Sequence, residues 1–116
     1  MTVKVFPLAL LVVLIATSSA LASDPDMLWI DVRTPAEYAS GHIKDAVNIE
    51  FQDIGAKIAA VTSDKDSDIR LYCRSGRRSG VAKQTLIELG YTNVHNEGGY
   101  AAALAKHLKD ADSEPQ

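Results

Sequence analysis

The chain holds one cysteine, Cys73, and that scarcity is informative. A single cysteine cannot close an internal disulfide, so its thiol is reactive, intermolecular or a buried structural group. Histidine is also sparse. His42, His95 and His107 are scattered, and with one cysteine they do not give the close ligand spacing a metal site needs. No metal and no cofactor is therefore expected. There is no basic excess either: 12 Lys+Arg against 15 Asp+Glu give a formal net charge of −3. That balance gives no reason to expect nucleic acid or an anionic membrane surface as a partner. No internal repeat and no domain linker is visible, so the sequence reads as one domain.

Long apolar runs are absent apart from one. Residues 5–16 carry no charge, follow Met1 and Lys4, and precede Thr17-Ser18-Ser19 and the small-x-small triplet Ala20-Leu21-Ala22. The run is too short to span a bilayer comfortably. The pattern predicts a secretory signal peptide over residues 1–22, cleaved after Ala22, and a mature domain over 23–116. No cysteine follows the cleavage point to carry a lipid, so no stable membrane anchor is expected after cleavage. The product would be exported: to the periplasm in a bacterium with two membranes, otherwise to the exterior. A free thiol in an oxidising compartment is a liability, which favours a chemical use for it.

What is present centres on Cys73-Arg74-Ser75-Gly76-Arg77-Arg78. The apolar run Ile69-Arg70-Leu71-Tyr72 leads into it, and a helical pattern over 79–89 leaves it. A helix N-terminus presents unpaired N–H groups and a partial positive charge. A thiol seated there ionises more readily, and a bound anion finds donors waiting. Arg74, Arg77 and Arg78 oppose the helix dipole, so stabilising the helix is not their purpose. An anion between them is the simplest reason for the arrangement. The competing reading is a buried structural cysteine followed by a solvated basic turn.

The remaining elements alternate. Residues 27–32 read as a buried strand, and Thr34-Pro35-Ala36-Glu37 as a capping box opening a short helix that stops by Gly41. Residues 46–49 read as a second strand. Ile54, Ile58 and Val61 recur at helical spacing. Residues 68–72 are the third strand. Val81, Ala82, Thr85, Leu86 and Leu89 are expected on the inner face of the next helix, which Gly90 ends. Residues 91–95 read as a fourth strand and Gly98-Gly99 as a turn. Residues 100–109 read as a helix with Leu104 and Leu108 inward, and 110–116 as a polar tail. Alternating strands and helices predict an α/β domain with a mostly parallel central sheet flanked by helices. The site of such a sheet lies beyond the carboxyl ends of its strands, where Cys73, Asp31 and Arg33 fall.

The ordered set Trp29-Ile30-Asp31-Val32-Arg33, Glu37-Tyr38, Gly41-His42-Ile43, Ala46-Val47-Asn48-Ile49, Tyr72 through Ser79, Leu89-Gly90-Tyr91 and Gly98-Gly99-Tyr100 resembles the rhodanese domain. It looks nearest to the small, exported, single-domain members of that family. The resemblance implies a sulfurtransferase. Cys73 would be the nucleophile, taking the outer sulfur of a small anionic donor such as thiosulfate and holding it as a persulfide. An external acceptor would then remove it: cyanide, a small thiol or a thioredoxin-like protein. Arg74, Ser75, Gly76, Arg77, Arg78 and Ser79 would bind the substrate, with Arg78 the first choice for donor contact. Asp31 and Arg33 would support the site as a polar network holding the cysteine loop. Tyr100 either lines the pocket mouth or packs.

Related cysteine phosphatases use a loop one residue longer, closed by an arginine six positions after the cysteine. Here Ser79 stands at that position. A phosphatase or arsenate-reductase-like enzyme is therefore the alternative within the fold, and a non-catalytic sulfide-carrying or partner-binding module the alternative outside enzymes. The family often carries a tryptophan near Ala103, and this chain does not.

Overall fold

The computed structural model describes residues 27–113. The leader expected over 1–22 lies outside the described residues. Four strands, β1 (Leu28–Asp31), β2 (Val47–Asn48), β3 (Ile69–Cys73) and β4 (Val94–Gly99), form one sheet in the order β2-β1-β3-β4. Every pairing is parallel. Four α-helices alternate with them: α1 (Pro35–Ala39), α2 (Ile54–Val61), α3 (Arg77–Glu88) and α4 (Tyr100–Ser113). The chain steps from β1 outward to β2 and returns to β3 on the other side of β1. The point where strand order reverses, between β1 and β3, is where parallel α/β sheets open a crevice.

Strand alternation divides the core into two layers. Ile30, Val32, Ile69, Leu71 and Cys73 face the layer filled by Ile54 and Ile58 of α2 and Ala82 and Leu86 of α3. Trp29 and Tyr72 face the other way, packed with Ile43, Ala46 and Ala103 of α4. Cys73 thus ends β3 on the α2/α3 side, at the sheet's carboxyl edge. Ala103, fully buried, stands in the layer that holds the Trp29 indole.

Several boundaries and faces differ from the expectation. The fourth strand begins at Val94 and runs through both glycines. Residues 91–93 are instead tied back to the loop before β3: the Tyr91 hydroxyl donates to the Thr62 carbonyl, and Thr92 N–H to that of Lys65. Gly99 pairs with Cys73, and a Cβ there would lie 2.5 Å from the Arg74 carbonyl oxygen, so glycine is what lets the strand continue. The inner face of α3 is the narrower set Ser79, Ala82 and Leu86; Val81 and Leu89, over 40% exposed, flank it in solvent. On α4 Ala103 is the inward residue, Leu104 is half-buried and Leu108 is exposed. That helix absorbs residues 110–113 of the expected tail. Val61 closes α2 on the solvent side.

Candidate active site

The site is built from the carboxyl ends of β1, β3 and β4. Thr34 caps α1 as expected: its hydroxyl accepts the Glu37 N–H at 3.2 Å, and the Glu37 carboxylate accepts the Thr34 N–H at 3.0 Å. This fixes the chain just after β1. Gly76, the N-cap of α3, has φ +99°, a left-handed conformation that side-chain-bearing residues adopt at a cost. It turns the chain from β3 straight into the helix and aims its own N–H at Cys73 Sγ, 2.9 Å away.

Cys73 is 1% exposed, with its sulfur beneath the loop rather than open to bulk water. Burial alone pushes a thiol up. Here that push is outweighed by the Ser79 hydroxyl and the backbone N–H groups of Ser79, Ser75 and Gly76, and the Cys73 thiol is held below its ordinary value. Of the expected substrate-binding loop, Ser75, Gly76 and Ser79 thus turn hydrogen-bond donors toward the sulfur. The Gly76 N–H is the shortest of these contacts, and a thiolate held this way is a stabilised nucleophile.

The arginines separate into two kinds. Arg74 and Arg77 are exposed at the rim. Arg78, the first choice for donor contact, is engaged with Glu37 on α1: its two terminal nitrogens donate to the two carboxylate oxygens at 2.9 and 3.1 Å. With Arg78 first and Thr34 second as causes, Glu37 is held down to about 2.

Asp31 and Arg33 form a buried pair with three side-chain hydrogen bonds between them, the shortest 2.7 Å. They are expected to hold the cysteine loop, and among the described residues no hydrogen bond joins their side chains to residues 73–79. Arg33 donates to the Gly41 carbonyl at 2.7 Å and lies over the Tyr100 ring, 4.7 Å from its centroid. Tyr100 follows Gly99, whose backbone packs on the Arg74 carbonyl. The pair thus reaches the start of α4, next to the residue that abuts the loop. Tyr100 also stacks on Tyr72, with ring centroids 5.8 Å apart, beside the site.

Asn96 is a site residue that sequence reasoning missed. Its Oδ1 accepts the Ser79 hydroxyl at 2.6 Å and the Gly98 N–H at 2.9 Å, while its Nδ2 donates to the Gly76 carbonyl at 3.0 Å. One side chain on β4 thereby ties together the cysteine loop, the start of α3 and the glycine end of its own strand. The Ser79 proton has three acceptors in reach, Asn96 Oδ1, the Gly76 carbonyl and Cys73 Sγ, the last at 3.5 Å. Among the described residues no group of three or more His, Cys, Asp or Glu is placed to hold a metal.

A buried, hydrogen-bonded cysteine at the carboxyl end of a parallel strand, cradled by a tight loop and a helix start, can act as a nucleophile and hold an anion. The family model described as Rhodanese-like domain matches residues 16–106. The chain belongs to the rhodanese family. A relative from Escherichia coli (strain K12), the thiosulfate sulfurtransferase PspE, is 45% identical over 71 residues, covering 61% of this chain and 68% of its own. A sulfurtransferase from Allochromatium vinosum is 41% identical over 90 residues, covering 78% and 82%. A solved rhodanese with anions from E. coli superposes with a TM-score of 0.64 at 42% identity, over 66% of this chain and 89% of that one. The rhodanese fold expected from the ordered motifs is the fold observed: a single α/β domain with a four-stranded parallel sheet.

Proposed function

We propose that this rhodanese is a thiosulfate sulfurtransferase with Cys73 as nucleophile and sulfur carrier. The observation that carries the reading is the Cys73 sulfur under the Gly76 N–H and the Ser79 hydroxyl, with its thiol held below the ordinary value. The thiolate attacks the outer sulfur of thiosulfate. The S–S bond of the donor breaks, its electron pair leaves with sulfite, and a persulfide anion remains on Cys73. A nucleophilic acceptor, cyanide or an external thiol, then attacks the outer sulfur and returns the Cys73 thiolate. Two displacements through a covalent intermediate predict ping-pong kinetics. The amides that stabilise the thiolate serve the persulfide anion equally. Exposed Arg74 and Arg77 draw the dianion to the rim. With no second cysteine in the chain, the persulfide is resolved from outside, by a small thiol or a thioredoxin-like protein.

The phosphatase reading is weaker. The sixth position after the cysteine holds Ser79, which is buried and turned to Asn96 and the sulfur, so that position cannot offer a guanidinium to a phosphoryl group. Export is part of the same proposal and rests on the leader pattern of residues 1–22.

The test is intact mass after thiosulfate, followed by cyanide. One added sulfur atom that disappears as thiocyanate forms is the expected result, and Cys73→Ala shows neither. Thiocyanate formation at the wild-type rate by Cys73→Ala would overturn the proposal.

A further inference from the structure

We propose that Glu37 is a positioning residue that holds Arg78 in a neutral pair and so limits how tightly the Cys73 cradle retains a dianion. Arg78 lies in the first turn of α3, where its charge and that of the Cys73 sulfur act on one another. Yet both terminal nitrogens of its guanidinium are engaged by the Glu37 carboxylate, in the two-pronged geometry that gives the strongest carboxylate contact. The Glu37 carboxylate is meanwhile anchored at the start of α1 by the Thr34 N–H at 3.0 Å and the Thr34 hydroxyl at 3.2 Å. A capping box is served by glutamine as well as by glutamate. The cap therefore does not require the negative charge of Glu37, and Arg78 is the larger of the two groups that stabilise it, Thr34 the smaller.

The consequence concerns both ends of the first displacement. Thiosulfate arrives with two negative charges and sulfite leaves with two. A floor of unpaired guanidinium would speed capture and slow release. With Arg78 compensated, attraction is left to Arg74 and Arg77, which are exposed at the rim. The substrates named here rest on the sulfurtransferase reading; the charge assignment does not.

The charge assignment is tested on the full chain by alkylating Cys73 with iodoacetate and with iodoacetamide, one anionic and one neutral. The ratio of the two rates reports the field at the sulfur and cancels the thiolate fraction. Glu37→Gln is expected to raise the iodoacetate-to-iodoacetamide ratio about threefold or more at low salt, with the gain shrinking as salt rises. Arg78→Met, which leaves Glu37 uncompensated, lowers the ratio below wild type, and the double variant returns to it. An unchanged ratio in Glu37→Gln overturns the proposal, as does a double variant no different from Arg78→Met. If Glu37→Gln does not fold, a ratio in Arg78→Met equal to wild type overturns it instead. A second arm uses thiosulfate: Glu37→Gln shows a lower KM and stronger inhibition by sulfite. A shifted alkylation ratio in a protein that never takes up sulfur would uphold the charge assignment and sink the sulfurtransferase reading. Sulfur transfer with an unmoved ratio would do the reverse.

Discussion

Replacing Arg33 by methionine tests how the site is supported. Asp31 is fully buried and Arg33 is 5% exposed. The guanidinium makes three hydrogen bonds to the Asp31 carboxylate and one to the Gly41 carbonyl, and it covers the Tyr100 ring. In Arg33→Met the carboxylate keeps only the residue-33 N–H, at 2.9 Å in the native chain, as a partner from this group. Breaking a buried pair by removing one partner costs about 3–5 kcal/mol, mostly because a charge is left unpaired. Against a total stability of roughly 5–15 kcal/mol, that is a large share. For a domain of this size it lowers Tm by roughly 12–40 °C. Trp29, the single tryptophan, is buried on β1 beside Asp31 and reports unfolding directly. Urea titration by tryptophan fluorescence should show a lower midpoint with an unchanged slope. Asp31→Asn combined with Arg33→Met should lose less than Arg33→Met alone, because no charge is stranded. A loss under about 1 kcal/mol in the single variant, the size of an exposed pair, would refute the reasoning. So would a double variant that is no better than the single one.

Other outcomes follow from the same geometry. Glu37 is held at about 2, from an ordinary value of 4.5, so its contribution to stability is complete above 4.5 and is lost as pH falls through about 2. Urea midpoints of wild type and Glu37→Gln should therefore converge between pH 5 and pH 2, a window about as wide as that shift; a constant gap would contradict it. Ser79→Ala removes a donor from the sulfur, and the pH midpoint for alkylation of Cys73 by iodoacetamide should move up; a midpoint that stays or falls denies Ser79 that role. Asn96→Ala should raise the same midpoint in the wild-type background and, by less, in Ser79→Ala, because Asn96 also holds the Gly76 carbonyl and with it the Gly76 N–H at the sulfur; no movement in either background denies Asn96 that role. Gly99→Ala drives a Cβ against the Arg74 carbonyl and should cost about 1–3 kcal/mol in urea unfolding together with most of the persulfide yield.

Much of this molecule was legible in the sequence where signals are local. Thr34 and Glu37 cap α1 atom by atom as the four-residue pattern implied, and the strand-cysteine-glycine-helix order delivered the thiol to the sheet's carboxyl edge. What escaped was set by distant partners. Glu37 looked fully used by its cap, and Arg78 lies 41 residues away, so nothing local announced their pairing. Gly98 and Gly99 read as a turn because glycine usually marks one. Here the missing side chain serves the close approach of β4 to the cysteine loop. Asn96 was hidden by the same error, since a strand thought to end at His95 offered it no place in the site. Val81, Leu89 and Leu108 match the helical period yet face solvent; on α3 the expected Ala82 and Leu86 turn fully inward, and on α4 the small Ala103 does so in place of Leu108.

Asn96 lies 20 residues beyond Gly76 and on another strand, yet it grips the carbonyl at the point where the cysteine loop turns into its helix. Among the described residues the donors that face the sulfur all come from the local peptide Cys73 to Ser79, but the clamp that keeps them there does not. An unfolded chain would therefore carry an unremarkable thiol, and sulfur chemistry would switch on only when β4 docks. Reactivity at this one atom is thus a built-in gauge of whether the last strand is home.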